Sequence, residues 1–424
     1  MLDNIVLKQK LEKEQLLLVD YVPRTNDNFG KKWLDSNLIK VVLGPRRAGK
    51  SIYSLMLLKN RPFMYFNFDD EVLASVGGID TGELMKKLHA AYGSEVKTIL
   101  FDEIQNLPAW ELFANRLHRE GYNLVLTGSN AQLLSKELAT HLTGRHMPIE
   151  ILPFDFKEFL RAKNFIADPQ FGFLPEKRGE LLRLMEDYII NGGFPEVVVN
   201  KLDSKDYLDV LYDSLLFKDV VKRHKVKLSS QIGNLGSHLI NNFTNLYSLN
   251  KLQEVLGLKS VTTIEKYVKY LEEAYIIFSL LRYSAKSIQR IKSPKKVYAV
   301  DNGFISAKAI QYSPDKGKLM ENLVFMELVK QGAKPNQDLF YYKTRNNREV
   351  DFVLKKGIKV QELIQVAYDT SNPDTEQREL KALFEAAVEL GVEKLTVITW
   401  DNKKEIKKDN LTVNFIPAWE RFLN

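Results

Sequence analysis

The sequence predicts an α/β protein whose first part is a parallel β-sheet covered by helices. Strand-like apolar runs alternate with helical runs between residues 41 and 127, which is the pattern of parallel strands joined by crossover helices. A glycine-rich loop also separates the first strand of this series from its first helix. The predicted strands after the loop are residues 62–68, 97–101 and 123–127, and the predicted helices are residues 84–91 and 110–117.

Length, charge and cysteine content narrow the class of protein. A chain of 424 residues has room for roughly two to four domains. The net charge of +7 favours a nucleic-acid partner only slightly, since 61 basic residues face 54 acidic ones. The absence of cysteine excludes disulfides and thiolate metal sites, and a cytoplasmic location is expected.

No segment of the sequence is predicted to enter a membrane. Charged residues within positions 1–13 exclude a signal-peptide core. The long uncharged stretch 229–250 carries its apolar residues at helical spacing, so it is predicted to be an amphipathic helix.

Residues 44–51 match the phosphate-binding loop G-x-x-x-x-G-K-[ST] at every position. In such a loop, backbone N–H groups and the following helix N-terminus face the phosphates of a nucleotide, the lysine reaches the β- and γ-phosphates, and the hydroxyl binds Mg²⁺. These roles fall on Lys50 and Ser51. The residues predicted to bind ATP are Gly44, Pro45, Arg46, Arg47, Ala48, Gly49, Lys50, Ser51 and Ile52.

Two carboxylates follow the strand 98–101. Asp102 is predicted to hold Mg²⁺ together with Ser51, and Glu103 is predicted to orient and polarise the water that attacks the γ-phosphate. An exposed acidic pair that closes a strand is the structural alternative. The spacing along the sequence between the phosphate-binding loop and this acidic pair favours the catalytic interpretation.

Two further residues are candidates for contact with the γ-phosphate. Asn130 follows the strand 123–127 and could hydrogen-bond the attacking water or the phosphate, although simple turn chemistry also explains it. Arg145 could stabilise a transition state across a subunit boundary in a homo-oligomer, or it could be a structural salt-bridge partner.

These motifs, together with the run 142–160, resemble the prokaryotic AAA-type ATPase family whose members carry a winged helix and a nuclease-like C-terminal domain. The resemblance covers nearly the whole chain. It implies an AAA+/STAND-like P-loop NTPase sheet with Glu103 as the catalytic base, followed by a helical lid, a winged helix and an α/β restriction-endonuclease-like domain. The corresponding domain boundaries are residues 1–160, 161–228, 229–312 and 313–424.

The middle of the chain changes to helical periodicity, which predicts the lid. Its Gly192-Gly193-Phe194-Pro195 element resembles the glycine-x-proline element near the adenine base in STAND-type ATPases, so Pro195 is a candidate nucleotide contact. An ordinary helix-ending turn is the alternative.

A short helix within residues 248–257 and a helix at 261–274, followed by strands at 275–281 and 297–300, give the winged-helix order. Basic residues without an acid among them lie between the strands, and such a wing can bind duplex DNA phosphates. They are Arg282, Lys286, Arg290, Lys292, Lys295 and Lys296. The acidic second helix suits base recognition poorly, so a solvated or protein-binding winged helix is the alternative.

The last hundred residues resemble the PD-(D/E)XK nuclease core. In an active member, Glu321 and Asp351 would bind Mg²⁺ and the next strand would supply an acid-x-lysine pair. Here those positions hold Gln365 and Ala367. Unless Lys343 or Lys355 substitutes, we expect a degenerate domain that binds DNA or a partner.

The sequence therefore predicts an ATP-hydrolysing AAA-type protein whose nucleotide state controls DNA- or partner-binding C-terminal domains. A slow nucleotide switch that acts as an assembly scaffold would carry the same motifs. A small-molecule kinase is less favoured, because Glu103 and Asn130 suit water activation better than phosphorylation of a substrate.

Overall fold

The computed structural model describes residues 2–75, 78–129, 144–166, 174–258, 260–309, 315–370 and 373–424. The chain forms two compact units. The first comprises Met1–Pro153 and Glu273–Tyr275, and the second comprises Phe154–Glu272 and Ile276–Asn424. In the described part of the chain, no helix combines the length and apolar composition that a membrane crossing requires.

The first unit contains a parallel five-stranded sheet, as the alternating pattern predicts. Its strands are β1 (Ile39–Leu43), β2 (Met64–Asn67), β3 (Thr98–Asp102), β4 (Asn123–Gly128) and β5 (His146–Glu150). Their order is β2-β3-β4-β1-β5, so the strand that precedes the glycine-rich loop lies between two others. Every residue of β1 is buried, as expected for a strand covered on both faces.

The sequence did not predict the helix that covers the edge strand β2. The helices of the first unit are α1 (Leu2–Leu16), α2 (Asp27–Leu34), α3 (Lys50–Leu58), α4 (Glu71–Ser75), α5 (Thr81–Tyr92) and α6 (Trp110–Arg119). In α1 only Ile5, Val6 and Gln9 are buried, which is too narrow an apolar face for a clear periodic signal. The Gln9 side chain donates a 3.0 Å hydrogen bond to the Asn67 carbonyl and accepts one of 2.9 Å from the Asn67 N–H. These bonds satisfy backbone polar groups at this edge of the sheet.

The second unit begins with helices, and the helical pattern predicted for residues 161–228 is present in its described part. Along the chain the helices are α7 (Phe156–Ala162), α8 (Pro175–Asn191), α9 (Pro195–Asn200), α10 (Ser204–Leu215), α11 (Ser229–Asn241), α12 (Leu249–Leu256), α13 (Val261–Glu273), α14 (Ser287–Lys292), α15 (Asn302–Lys308), α16 (Lys316–Lys330), α17 (Pro373–Leu390) and α18 (Ala418–Leu423). A π-helical segment, Leu216–Lys222, follows α10.

The prediction of a single helix over residues 229–250 is wrong for the second half of this range. Helix α11 ends at Asn241, and Thr244 adopts the left-handed conformation with φ of +61°. Its N–H donates a 2.6 Å hydrogen bond to the Val297 carbonyl. This turn leads into a short strand, so tertiary hydrogen bonding outweighs the local helical pattern.

That strand belongs to a three-stranded antiparallel sheet. Its members are β6 (Leu246–Tyr247), β7 (Ile277–Leu280) and β8 (Lys295–Ala299), in the order β6-β8-β7. Helices α12 and α13 lie between β6 and β7 along the chain, and α14 lies between β7 and β8. The helix-helix-strand-strand order is therefore present, with an additional helix where a simple wing was predicted.

The C-terminal part is built on a mixed six-stranded sheet. Its strands are β9 (Leu339–Lys343), β10 (Glu349–Lys356), β11 (Lys359–Ala367), β12 (Lys394–Thr399), β13 (Lys404–Lys408) and β14 (Leu411–Pro417). The order is β13-β14-β12-β11-β10-β9, and only the pairs β11-β12 and β12-β14 are parallel. Helices α16 and α17 both pack against β11.

A buried carboxyl on α16 gives the stability of this unit a predicted pH dependence. Glu327 accepts a 2.6 Å hydrogen bond from the Tyr188 hydroxyl, and burial raises the pKa of Glu327 from 4.5 to about 7. The folded chain therefore binds this proton more tightly than the unfolded chain, so the stabilisation is full below pH 4.5 and is lost as the pH rises through about 7. The free energy of unfolding should fall between pH 5 and pH 7.5 in wild type. In Glu327→Gln this fall should be smaller by about 2–3 kcal/mol. An equal loss in both proteins would contradict this assignment.

Candidate functional site

The phosphate-binding loop joins β1 to α3. Gly44 has φ of +145°, and a Cβ there would lie 1.9 Å from the Ile151 carbonyl oxygen, so a side chain does not fit at this position. Gly49 has φ of +91° in the left-handed region and precedes the first residue of α3, Lys50. Both glycines are therefore required by the backbone path that brings the loop to the helix N-terminus.

Other loop residues are fixed by neighbours within the first unit. The Arg46 guanidinium lies 3.7 Å from the Asp69 carboxylate, whereas Arg47 is exposed and has φ of +65°. The Ala48 carbonyl accepts a 3.1 Å hydrogen bond from Arg24, a buried residue that the sequence analysis did not identify. No sequence signal marks Arg24, because the Ala48 carbonyl that it contacts is a backbone group that any residue provides. Ile52 is half-buried on α3.

The structure brings the predicted lysine, hydroxyl and carboxylates together. Lys50 Nζ donates a 3.0 Å hydrogen bond to the Pro45 carbonyl and lies 3.8 Å from Glu103 Oε1. Ser51 Oγ donates a 3.0 Å hydrogen bond to Asp102 Oδ1 at the end of β3. The two residues predicted to hold Mg²⁺ are thus in direct contact.

Glu103 is held in an unusual backbone conformation beside Lys50. Its φ of +49° is left-handed, which is uncommon for a residue other than glycine and costs conformational energy. Its carboxylate accepts a hydrogen bond from the Gln105 side chain. The Glu103 side chain is only 12% exposed, so its position is set by these contacts and not by solvent.

Thr127 on β4 links the two carboxylate residues, a role that the sequence analysis did not assign. Its hydroxyl donates a hydrogen bond to Asp102 Oδ1 and accepts a 3.0 Å hydrogen bond from the Glu103 N–H. Thr127 is completely buried. One hydroxyl therefore orients the Asp102 carboxylate and stabilises the left-handed Glu103 backbone.

The electrostatics of Asp102 suit a bound cation. Burial raises the pKa of Asp102 above its ordinary value, and the neighbouring Glu103 charge raises it further. Mg²⁺ prefers oxygen ligands and is usually held by one or two protein oxygens together with phosphates. The Ser51 hydroxyl and Asp102 carboxylate supply such oxygens, so the residues present fit the ion.

The remaining predicted contacts are only partly described. Asn130 lies outside the described residues. The Ser129 hydroxyl beside it is 1% exposed and has no hydrogen-bond partner among the residues that the structure describes. Arg145 is exposed at the start of β5, where its carbonyl accepts a 2.8 Å hydrogen bond from the Ile39 N–H. Its action across a subunit boundary stays a prediction.

Pro195 is the first residue of α9 in the second unit. The preceding Gly192 has φ of +75°, and a Cβ there would lie 1.7 Å from the Asp301 carboxylate, which also accepts a 2.9 Å hydrogen bond from the Gly193 N–H. The glycine pair therefore has a structural role, as the alternative interpretation holds. Contact of Pro195 with the base stays a prediction.

The C-terminal carboxylates form a second polar cluster. Asp351, Gln365 and Ala367 all line a cavity of about 800 Å³, and Ala367 also packs into the core of the six-stranded sheet. The two suggested substitutes for the missing lysine differ in their contacts. Lys355 Nζ bonds the Gly357 carbonyl on an exposed turn, and Lys343 lies 3.7 Å from Glu349 at the cluster margin.

The lysine that reaches these carboxylates is Lys296 from β8. Its Nζ lies 2.7 Å from Glu321 Oε1, 2.7 Å from Glu349 Oε1 and 3.1 Å from Asp351 Oδ1. We refer to these four residues as the Lys296 cluster. Burial opposes the charge on Lys296, but the surrounding carboxylates outweigh burial and raise the pKa of Lys296 above its ordinary value.

The Lys296 cluster corrects the prediction of a basic wing with six available charges. Lys296 is 2% exposed and fully engaged. Arg282 is half-buried and donates a 2.7 Å hydrogen bond to the Lys343 carbonyl. Lys286 and Lys292 are exposed, and the remaining two cations, Arg290 and Lys295, are half-buried.

Comparison with known proteins places these observations in a family. Residues 36–160 match the family described as an AAA domain. Residues 182–314 and 316–420 match two families described as domains of unknown function, DUF8612 and DUF4143.

Two curated relatives and two solved structures are similar to the chain. Uncharacterized protein MJ1544 of Methanocaldococcus jannaschii is 34% identical over 438 residues, which cover 99% of this chain and 96% of that protein. An uncharacterized protein of Haemophilus influenzae is 30% identical over 354 residues, or 79% of this chain and 84% of that protein. The Walker-type ATPase PABY2304 of Pyrococcus abyssi has a TM-score of 0.48 at 16% identity, covering 68% of this chain and 96% of that one. The RuvB Holliday junction branch migration motor of Thermotoga maritima has a TM-score of 0.30 at 16% identity, covering 64% of this chain and 98% of that one.

The similarity to MJ1544 extends over nearly the full length of both proteins. The match to the AAA domain covers the loop, β3 and β4, which carry the described residues of the candidate site. The chain therefore belongs to the same protein family as MJ1544 and carries an AAA-type P-loop ATPase domain.

Proposed function

We propose that this chain is a Mg²⁺-dependent ATPase whose nucleotide state controls the binding of DNA or a protein partner by its C-terminal domains. The observation that carries the ATPase proposal is the convergence of Lys50, Ser51, Asp102 and Glu103 at the end of β1 and β3. A lysine, a hydroxyl and two carboxylates in this arrangement are the parts that phosphoryl transfer to water requires.

Each residue has a role that follows from its contacts. The Lys50 ammonium, which donates to the Pro45 carbonyl, would turn to the β- and γ-phosphate oxygens of ATP. Ser51 and Asp102 would hold Mg²⁺, which would neutralise charge on the phosphates. Glu103 would accept the hydrogen bond of the attacking water and orient its oxygen toward the γ-phosphorus.

The Gln105 and Thr127 contacts favour catalysis over a chance pair of carboxylates. Gln105 holds the Glu103 side chain and Thr127 holds its backbone, so the proposed base is restrained at two points. Such restraint lowers the reorganisation needed to reach a productive geometry.

The ATPase proposal is tested by measuring phosphate release and ATP binding with Mg²⁺ in wild type and Lys50→Ala. We expect wild type to bind ATP and to release phosphate, and Lys50→Ala to lose turnover. Tight binding by wild type with no release above the variant would instead identify the slow switch. Transfer of phosphate to a metabolite without free phosphate would identify a kinase.

Thr127 gives a sharper test of the geometry. Thr127→Val keeps the shape but removes the hydroxyl that orients Asp102 and Glu103, and we expect ATP turnover to fall about 10- to 100-fold. Thr127→Ser, which retains the hydroxyl, is the matched control and should keep most of the activity. A folded Val variant with wild-type turnover would refute the positioning role.

The DNA-binding part of the proposal is supported by the cations of the segment between β7 and β8. Lys286 and Lys292 are exposed there, and Arg290 and Lys295 are half-buried. Such side chains can contact phosphates without reading bases, so the expected binding is sensitive to salt and weakly dependent on sequence.

Neutralising Arg290, Lys292 and Lys295 together should weaken duplex binding and reduce its salt dependence. Three lost phosphate contacts would lower the slope of log affinity against log salt concentration by about 3. Fluorescence anisotropy with a labelled duplex, titrated over a range of salt concentrations, measures both quantities. A wild type that does not bind duplex, or a triple variant that binds it as well as wild type does, would favour a protein partner. Lys296 is left intact, because its charge is buried.

A further inference from the structure

The Lys296 cluster joins two different sheets of the second unit. Lys296 belongs to β8 of the three-stranded sheet, Glu349 and Asp351 belong to β10 of the six-stranded sheet, and Glu321 belongs to α16. Buried carboxylates of like charge repel each other strongly unless a cation lies among them. The ammonium of Lys296 is that cation.

Several polar atoms around Lys296 take part in further hydrogen bonds within the chain. Asp351 Oδ2 accepts a 3.0 Å hydrogen bond from the Val366 N–H, and Gln365 Oε1 accepts a 3.2 Å hydrogen bond from the Asp351 N–H. Glu321 Oε1 also accepts a 2.8 Å hydrogen bond from the Tyr298 hydroxyl. Within the described residues, no group of three or more His, Cys, Asp or Glu side chains has the geometry of a metal site.

A metal ion and Lys296 would compete for the same oxygens. A divalent ion sits roughly 2.0–2.6 Å from its oxygen ligands, and the Lys296 Nζ is already within 3.1 Å of three of them. Two cations cannot occupy this space, because their repulsion at such a distance is strong in a buried site.

We propose that Lys296 is the built-in cation of the C-terminal acidic site: its ammonium takes the position that a divalent ion would need and fastens β8 to the six-stranded sheet. The cluster therefore does not bind the metal ion that metal-dependent phosphodiester cleavage in this cavity would require. This inference goes beyond the proposed ATPase and does not depend on ATP turnover.

The test is Mn²⁺ binding to the nucleotide-free full chain, followed by electron paramagnetic resonance. Wild type, Asp351→Asn, Lys296→Met and the double variant Lys296→Met/Asp351→Asn are compared, and only Mn²⁺ that depends on Asp351 is assigned to the cluster. We expect no such ion in wild type. We expect Lys296→Met to gain one such ion and the double variant to lose it.

Two results would overturn the proposal. One is an ion in wild type that Asp351→Asn removes, because the site would then be a metal centre with Lys296 beside it. The other is a folded Lys296→Met chain that gains no ion. Should Lys296→Met fail to fold alone, recovery of its folding by Mn²⁺ or by the added changes Glu321→Gln and Asp351→Asn supports the proposal. Failure of both to restore folding contradicts it.

Discussion

Replacing Glu103 with glutamine is expected to lower the rate of ATP hydrolysis about 10²- to 10⁴-fold while ATP binding is retained. The amide has nearly the same shape as the carboxylate, but it cannot accept the proton of the attacking water. Lys50, Ser51 and Asp102 remain in place, so the contacts predicted for the phosphates and Mg²⁺ persist. Phosphate release and equilibrium binding of a labelled ATP analogue separate the two effects.

A matched control for this variant is Glu120→Gln. Glu120 is an exposed glutamate just after α6 in the same unit, and its loss of charge should leave turnover unchanged. Turnover by Glu103→Gln within a few-fold of wild type would mean that another group activates the water. Loss of ATP binding in this variant would mean that Glu103 acts mainly on the folded loop through its contact with Lys50.

Replacing Lys296 with methionine is expected to lower the free energy of unfolding of the second unit by about 3–5 kcal/mol. The substitution keeps the aliphatic length but leaves the carboxylates of Glu321, Glu349 and Asp351 without their buried counter-charge. Denaturant unfolding followed by tryptophan fluorescence measures the change, since Trp400 and Trp419 belong to this unit.

The neighbouring residue provides the control. Lys295 precedes Lys296 on β8 and is half-buried, so Lys295→Met should change stability by no more than about 0.5 kcal/mol. Adding Asp351→Asn to Lys296→Met should restore part of the loss, because one uncompensated charge is removed. Equal effects of the two lysine substitutions would show that the cluster contributes no special stabilisation.

The parts of the fold that the sequence predicts are those with local causes. The sheet of the first unit is recognisable because its buried strands are continuous apolar runs, and the loop is recognisable because Gly44 and Gly49 must adopt backbone conformations that disfavour other residues. Helix α1 was missed because few of its residues are buried.

The relations that escaped prediction depend on tertiary contacts. Thr127 is visible in the sequence as a small polar residue after a strand, but its hydrogen bonds to Asp102 and Glu103 arise only from the order of β3 and β4 in the sheet. Lys296 lies 55 residues from Asp351 in the segment that the sequence predicts to be a basic wing, although its charge is buried against carboxylates of another sheet. Charge patterning along a sequence does not distinguish these two environments.

One assay tests both the proposed ATP hydrolysis by the AAA domain and its proposed coupling to the C-terminal domains. Mg²⁺-dependent phosphate release is measured for the full chain with and without duplex DNA, beside Lys50→Ala as the reference for background. We expect release well above this background in wild type and a rate that changes when duplex is added. Release equal to that of Lys50→Ala under both conditions would contradict both proposals.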